Sequence, residues 1–288
     1  MRLVFCLILV LLAFAGNSVL ARLALAGGDI GPWAFSGLRF VSGAVMLLIL
    51  SQPKESWPVG NWTAAIALCA YGVFFSFAYL ELATGTGALL LFASVQLTML
   101  AVAFSRGERL SALQIIGLVL AMAGLIYLLS PGLDPPSPLG AGLMVLSGAG
   151  WGIYSVLAAG PGSALARTSG NFSRAAILLL ALTPMVFLVL PEARPNMMGL
   201  GLAVLSGTVT SGLGYALWYW VLRKISVTTA AVSQLSVPVI AAIGGAVFVL
   251  EPVTWSFALA CALVLIGVAV ATIKRPMSSS RTPGPSFD

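Results

Sequence analysis

Between Thr208 and Tyr219, five side chains able to hold a solute recur at spacings of one to four residues: Thr208, Ser211, Tyr215, Trp218 and Tyr219. On an α-helix that spacing lays them along one stripe. Tyr and Trp join a large apolar body to one polar handle, which suits a site for amphiphilic solutes. The same rings fit an interfacial belt at a membrane edge, Trp220 above all. Further along, Ser233, Gln234, Ser236 and Pro238 fall within six residues. Pro238 lacks the N–H of a helical residue and so frees a carbonyl on its N-terminal side. Polar glue between helices is the alternative reading of that cluster. Asn17 with Ser18, Ser94 with Thr98 one turn on, Trp151 with Tyr154, and Tyr71, Phe75 and Tyr79 complete the polar and aromatic inventory. The candidate binding set is Asn17, Tyr79 and Ser94 early in the chain, with Trp151, Tyr154, Tyr215, Trp218, Gln234 and Pro238 later. Such a set does non-covalent chemistry: rings meet an apolar body, while hydroxyls, amides and freed carbonyls replace water around polar ends.

Covalent and metal chemistry lack their parts. The chain has no histidine, so His bases, His metal ligands and Ser-His triads are excluded. Cys6, Cys69 and Cys261 lie in apolar runs with no metal-ligand or disulfide spacing, and read as small buried hydrophobes. No cofactor, metal or catalytic residue is expected, and the chain does not read as an enzyme. Among acids, Glu81 is the candidate for proton or ion coupling, with an interfacial acid as the alternative. Arg39 and Arg174 read as structural, capping helix-end carbonyls or holding a loop, and Glu108 and Glu251 as acids ordering the turns after them.

The elements that must position these residues are set by composition. The 288 residues are 60% hydrophobic and 8% charged, against roughly a quarter charged in soluble domains. So few charges cannot cover a water-facing surface, and the surrounding medium is lipid. Backbone groups must be paired internally there, and the continuous apolar runs favour helices of about 20 residues. Ten spans are expected, near 3–22, 32–50, 62–80, 86–105, 112–130, 139–158, 173–190, 198–220, 228–249 and 255–273. Turn-like Gly/Pro segments separate them, among them "SQPKESWPVGN", "SRGERLS" and "LEPVT". The start resembles a secretion signal, but the apolar stretch runs on to about Leu25 and reads as a retained span.

Charge orients the spans. With a cytoplasmic N-terminus, the inner side receives Arg2, Lys54, Arg106, Arg109, Arg167, Arg174, Arg223, Lys224, Lys274, Arg275 and Arg281, and the outer side only Arg22, Arg39 and Arg194. That imbalance places both termini inside. The cations are scattered over loops and form no nucleic-acid-binding face.

The chain also repeats itself. At an offset of 143 residues Glu108 falls on Glu251, Ser111 on Thr254 and Gly124 on Gly267, and "AGNSVLAR" from Ala15 is echoed by "WGIYSVLA" from Trp151. Each half holds five spans, an odd number, so the second half enters the membrane from the opposite side. The expected fold is an all-α integral membrane protein with ten transmembrane helices as two inverted five-helix repeats. Residues 1–134 form the first repeat, 135–275 the second, and 276–288 a disordered cytoplasmic tail.

The two five-helix halves, the Leu38–Phe40 "LRF" tripeptide, the "WG" at Trp151 and the acids Glu108 and Glu251 together resemble the drug/metabolite transporter superfamily, EamA type. The resemblance covers about residues 3–275. The chain departs from it at Ala15-Gly16, where members often carry Trp-Gly, and at Val95, where they often carry Pro. The resemblance implies a secondary transporter of small organic metabolites in a bacterial inner membrane, amino-acid export being nearest in texture; alternating access is the expected mechanism, and a monomer the expected form, which no residue in the sequence decides. An exporter of drug-like organic cations is the alternative within transport, with Glu81 as the acid able to serve it. An intramembrane enzyme lacks a His or a buried acid pair.

Overall fold

The computed structural model describes residues 2–107, 111–130, 136–160, 162–190, 192–225 and 227–272. Glu108, Arg109, the Asp134 loop and the tail from residue 276 lie outside the described residues. The described chain is all-helical, without a strand. The helices are α1 (Arg2–Ala26), α2 (Pro32–Ser51), α3 (Pro53–Val59), α4 (Trp62–Glu81), α5 (Thr84–Ser105), α6 (Ala112–Leu128), α7 (Pro138–Leu157), α8 (Ala164–Val189), α9 (Met197–Leu222), α10 (Val227–Gln234), α11 (Val237–Val249) and α12 (Trp255–Thr272).

Seven of these, α1, α2, α4, α5, α7, α8 and α9, are long and apolar enough to cross a membrane, while α6, α11 and α12 are shorter apolar helices. Sequence predicts ten spans, and the difference lies in those three shorter runs. The run expected at 228–249 is broken at Leu235–Ser236 into α10 and α11, because Pro238 cannot donate to the Gln234 carbonyl. The segment "SQPKESWPVGN", read as a turn, contains the short helix α3 with Pro53 in its first turn.

Helix starts carry local signals. Asn61, Ser137, Ser163 and Asn196 accept backbone N–H groups at the starts of α4, α7, α8 and α9, and Ser111 forms a reciprocal capping box with Gln114 at α6. Pro32 and Pro138 occupy first-turn positions whose N–H would otherwise be orphaned.

The burial pattern fits a lipid solvent. Large apolar side chains such as Leu188, Met197 and Trp255 stand outward, while Asn17, Ser36, Arg39, Ser76, Ser147 and Ser211 are buried inside. Helices before residue 130 pack chiefly against helices after residue 136: α6 along α12, α4 and α5 along α7, α2 along α8 and α9, and α1 along α9 and α11. The α6–α12 crossing is reciprocal. A Cβ on Gly124 would stand 2.8 Å from Val264 Cγ2, and one on Gly267 would strike the Ala121 backbone. Gly124 and Gly267 are 143 residues apart, and so are Ala121 and Val264. The two contacts therefore map onto each other at the 143-residue offset.

Candidate functional site

Two cavities meet inside this bundle. A vestibule of about 830 Å³ opens at the end where α7 and α9 terminate, bounded by Gly160, Arg167 and Arg223. Behind it lies a void of only about 10 Å³, walled by Phe14, Asn17, Ser18, Tyr71 and Phe75. Trp151 and Tyr215 line both, so they form the partition between them.

α7 and α9 present the aromatic wall. Phe14 of α1 sits among three of its rings: Trp151 at 6.3 Å edge-on, Tyr215 at 5.9 Å and Trp218 at 5.7 Å. Tyr71 stacks on the other face of the partition, 5.5 Å from Trp151. Edge-to-face and offset pairs of this kind are favourable beyond their area, so the rings hold one another at fixed angles. α7 can lie this close because of its glycines: a Cβ on Gly148 would stand 2.5 Å from Ser94 Cβ, and one on Gly150 3.0 Å from the Ala67 carbonyl oxygen.

A π-helical stretch, Ser206–Leu213, interrupts α9. Its wider turn rotates the register of the helix beyond it, as single π-turns do at functional positions. Ser206, Thr210 and Ser211 consequently converge on the Oδ1 of Asn17, with Ser206 Oγ at 2.9 Å. Thr208 leaves the expected stripe and bonds back to the Val204 carbonyl.

The candidate residues divide between the cavities and the packed core. Trp151, Tyr154, Tyr215, Trp218 and Gln234 line the vestibule, and Asn17 the void. Tyr154 donates to Thr168 Oγ1 at 3.2 Å, and the Thr168 and Tyr219 hydroxyls are 2.6 Å apart. Tyr79, Ser94 and Pro238 are buried but line neither cavity. Tyr79 packs on Phe75 and donates to the Thr84 carbonyl. Ser94 is pressed against Gly148, and Pro238 begins α11. The Ser233 carbonyl near Pro238 is already taken by the N–H and hydroxyl of Ser236. Glu81 is exposed at the C-terminal end of α4.

The opposite end of the bundle is closed by polar ties. Arg22 Nε lies 2.8 Å from Glu251 Oε1, and Arg22 Nη1 donates to the carbonyls of Tyr79 and Leu80. Glu251 Oε2 accepts the Thr84 N–H at 2.7 Å. Sequence predicts that Glu251 orders the turn before the last helix. It instead caps the N-terminus of α5, because the left-handed Leu250 turns the chain back towards α5. Glu192 accepts the N–H groups of Trp33 and Ala34 at 2.6 and 3.0 Å, and Asn196 bonds Asp29.

Arg174 behaves as expected, donating to the Trp57 carbonyl and lying 4.1 Å above the Trp57 ring, which holds α3 in place. Arg39 does not. It caps no helix-end carbonyl among the described residues. Its side chain is 1% exposed and donates to Tyr71 Oη at 2.8 Å and Ser211 Oγ at 3.2 Å. α2 runs straight past the middle of α4 and α9, so the nearest acceptors are side-chain hydroxyls rather than a helix end. Three residues join the site: Phe14, which the sequence reading missed, Tyr71, which it placed in the aromatic inventory but not in the binding set, and Arg39, which it read as structural. Phe14 lies one turn before Asn17, the sole sequence signal for it, and Arg39 is an ionisable residue in an apolar run.

Among the described residues no group of three or more His, Cys, Asp or Glu could hold a metal ion. The site can bind, orient and desolvate a solute.

A family model described as the EamA-like transporter family matches residues 1–130 and 138–273. An uncharacterized Pseudomonas aeruginosa protein is 44% identical over 93% of this chain and 93% of its own. The uncharacterized transporter YoaV of Bacillus subtilis is 22% identical over 85% of this chain and 88% of its own. The aromatic amino acid exporter YddG of Ancylobacter novellus is 27% identical over 89% of this chain and 93% of its own. One solved crystal structure, 22% identical, superposes with a TM-score of 0.60 over 91% of this chain and 96% of that one, a likeness of fold.

Proposed function

We propose, for a chain that belongs to the EamA-like transporter family and is thereby a multi-pass membrane transporter, that it moves amino acids or closely related small organic metabolites out of the cell. The observation that carries this reading is the aromatic vestibule open at one end of the bundle and closed at the other by Arg22, Glu251 and Glu192. A cavity reached from one side only is one half of an alternating-access cycle. The mirror state would break the ties at the closed end and bring α7 and α9 together across the vestibule. The likeness to an aromatic amino acid exporter agrees in kind with Trp151, Tyr154, Tyr215 and Trp218, which offer ring faces to an apolar body.

In this reading the protein lies in the plasma membrane as ten spans in two inverted halves, divided near residues 134–135. The reciprocal Gly124–Val264 and Ala121–Gly267 contacts and the two matched segments support that arrangement. Both termini are cytoplasmic, from the cation imbalance, so the vestibule faces the cytoplasm. Gly-lined crossings and the break before Pro238 let the halves rock. Asn17, Tyr154 and Gln234 supply polar contacts to the solute. Tyr79, bonded to the Thr84 carbonyl, enters as a residue that rearranges with the closed end, Ser94 and Pro238 as residues at helix crossings that shift as the halves rock, and Glu81 as an acid able to take up a coupling proton.

The test is counterflow in proteoliposomes with a panel of labelled amino acids. Saturable exchange of aromatic or large apolar members is expected. Exchange of organic cations with no amino acid exchanged would overturn the reading.

A further inference from the structure

We propose that Arg39 is the anchor for a carboxylate on the transported solute, so that the substrates are small carboxylates with an apolar or aromatic body. The inference rests on the transport reading above.

Arg39 lies seven residues into α2, about 10 Å from its start at 1.5 Å per residue. Tyr71 and Ser211, which receive its hydrogen bonds, lie near the middle of α4 and α9. The guanidinium is therefore held inside the bundle at hydrocarbon depth. Among the described residues no acid pairs with it. Its charge is shared among the rings of Phe40, Tyr71 and Phe75, whose centroids lie 5.9, 5.3 and 5.0 Å from Cζ, and two neutral hydroxyls. Nη1 is buried and has no hydrogen-bond partner among the described residues. The one ion pair among those residues is Arg22 with Glu251, at the closed end.

A buried cation without a counter-ion is costly, and one kept at membrane depth marks a functional position. Ring faces and hydroxyls reduce the cost but cannot neutralise the charge. Guanidinium and carboxylate match as planar, two-pronged partners, so a solute carboxylate is the group that completes this site.

Arg39 lines neither cavity, but the inner void reaches its hydrogen-bond partner Tyr71. Tyr71 and Asn17 wall the small void, and both touch the Arg39 network, Tyr71 directly and Asn17 through Ser211. Trp151 and Tyr215 separate that void from the vestibule. A solute whose ring lies against Phe14, Trp151 and Tyr215 would direct its other end at Tyr71 and Arg39. The void of about 10 Å³ holds at most one water, so the carboxylate enters by displacing the partition as the halves move.

The experiment uses the full-length protein as wild type, Arg39→Lys and Arg39→Gln. Labelled L-phenylalanine counterflow is measured with unlabelled L-phenylalanine or L-phenylalaninamide as competitor. Thermal midpoints in detergent are measured with L-phenylalanine, 3-phenylpropionate or the amide. The acid should compete about tenfold or more better than the amide in wild type, the range for a hydrogen bond to a charged group. Arg39→Gln should lose that preference and at least about tenfold of the flux, whereas Arg39→Lys keeps the preference. Both carboxylates should raise the wild-type midpoint and leave that of Arg39→Gln unmoved. Without ligand, Arg39→Gln should melt no lower than wild type, since an unpaired charge has left the interior.

Retention of the acid preference in Arg39→Gln would overturn the proposal. So would an unliganded Arg39→Gln that melts far below wild type with no carboxylate effect on the wild-type midpoint, which makes the residue structural. If wild type exchanges amino acids but the amide competes as well as the acid, the anchor is refuted and the transport reading stands. If wild type exchanges no amino acid at all, that reading falls, and the midpoint series decides the carboxylate site by itself.

Discussion

Arg22 and Glu251, 229 residues apart in sequence, are joined at 2.8 Å, and the same carboxylate caps α5 through Thr84. One acid thus ties three helices together at the end of the bundle away from the vestibule. The seat is tight: a Cβ on Gly245 would stand 2.7 Å from Glu251 Oε2. Aligned on the shared "SVLA", residues 18–21 with 155–158, Arg22 corresponds to Ala159, so this cation has no match in the later segment.

This asymmetry makes the pair a latch for the closed end. The two side chains are 19% and 14% exposed, between surface and interior, and such a pair is worth about 1–2 kcal/mol. Glu251→Gln should therefore raise the population open at that end by about tenfold. In a background with Cys6, Cys69 and Cys261 replaced, Ser18→Cys should react correspondingly faster with an impermeant thiol reagent added on that side. An unchanged labelling rate would show that the end stays shut without the ion pair, with the Glu192 cap on α2 intact.

Orientation has its own test. Ser137, at the start of α7, should be extracellular, and Ser163, at the start of α8, cytoplasmic. In intact cells Ser137→Cys should be labelled by an impermeant reagent, and Ser163→Cys only after permeabilisation. The reverse pattern would invert the assignment drawn from the cations.

The aromatic wall predicts a contrast among tryptophans. Trp151→Ala and Trp218→Ala remove rings that hold Phe14 and line the vestibule, and should lower transport by about tenfold or more at equal expression. Trp255 is 91% exposed, and Trp255→Ala should transport as wild type. Trp57→Ala should lower the thermal midpoint, because Arg174 loses its stacking partner, while transport per folded molecule is kept. Equal losses in all four would place the binding site elsewhere.

The α6–α12 crossing predicts a contrast among glycines. Gly267→Ala forces a methyl against the Ala121 backbone and should cost about 1–3 kcal/mol, seen as a lower thermal midpoint. Gly37, within α2, and Gly201, within α9, meet nothing within 4 Å. Ala there should be neutral or stabilising by about 0.5–1 kcal/mol, as expected for glycine in a helix interior. A tolerated Gly267→Ala would mean that the two helices are farther apart than described.

A transporter with apolar helices and an aromatic wall was legible in the chain because each signal is local. Continuous apolar runs, few charges and no histidine act segment by segment, and the caps Asn61, Ser111, Ser137 and Asn196 mark helix starts by their own side chains. Trp151, Tyr154, Tyr215, Trp218 and Gln234 fell on the vestibule because spacing along a helix fixes a shared face. The break before Pro238 came from the missing N–H of one residue.

Tertiary structure decided what depends on two distant segments meeting. Whether Glu251 served the next helix or another was set by where α1 and α5 end in space, and it pairs with Arg22 and Thr84. The π-turn in α9 shifted a register that a uniform helical spacing assumes, sending Thr208 off the stripe and Ser206, Thr210 and Ser211 to Asn17. Arg39 gave no sign in sequence of being unpaired. Sequence determines that a cation sits in an apolar run, but only the packing of α2 against α4 and α9 decides that hydroxyls and rings, and no described carboxylate, surround it. Hydrophobic periodicity is a one-dimensional quantity, whereas a counter-ion is found or missed in three dimensions.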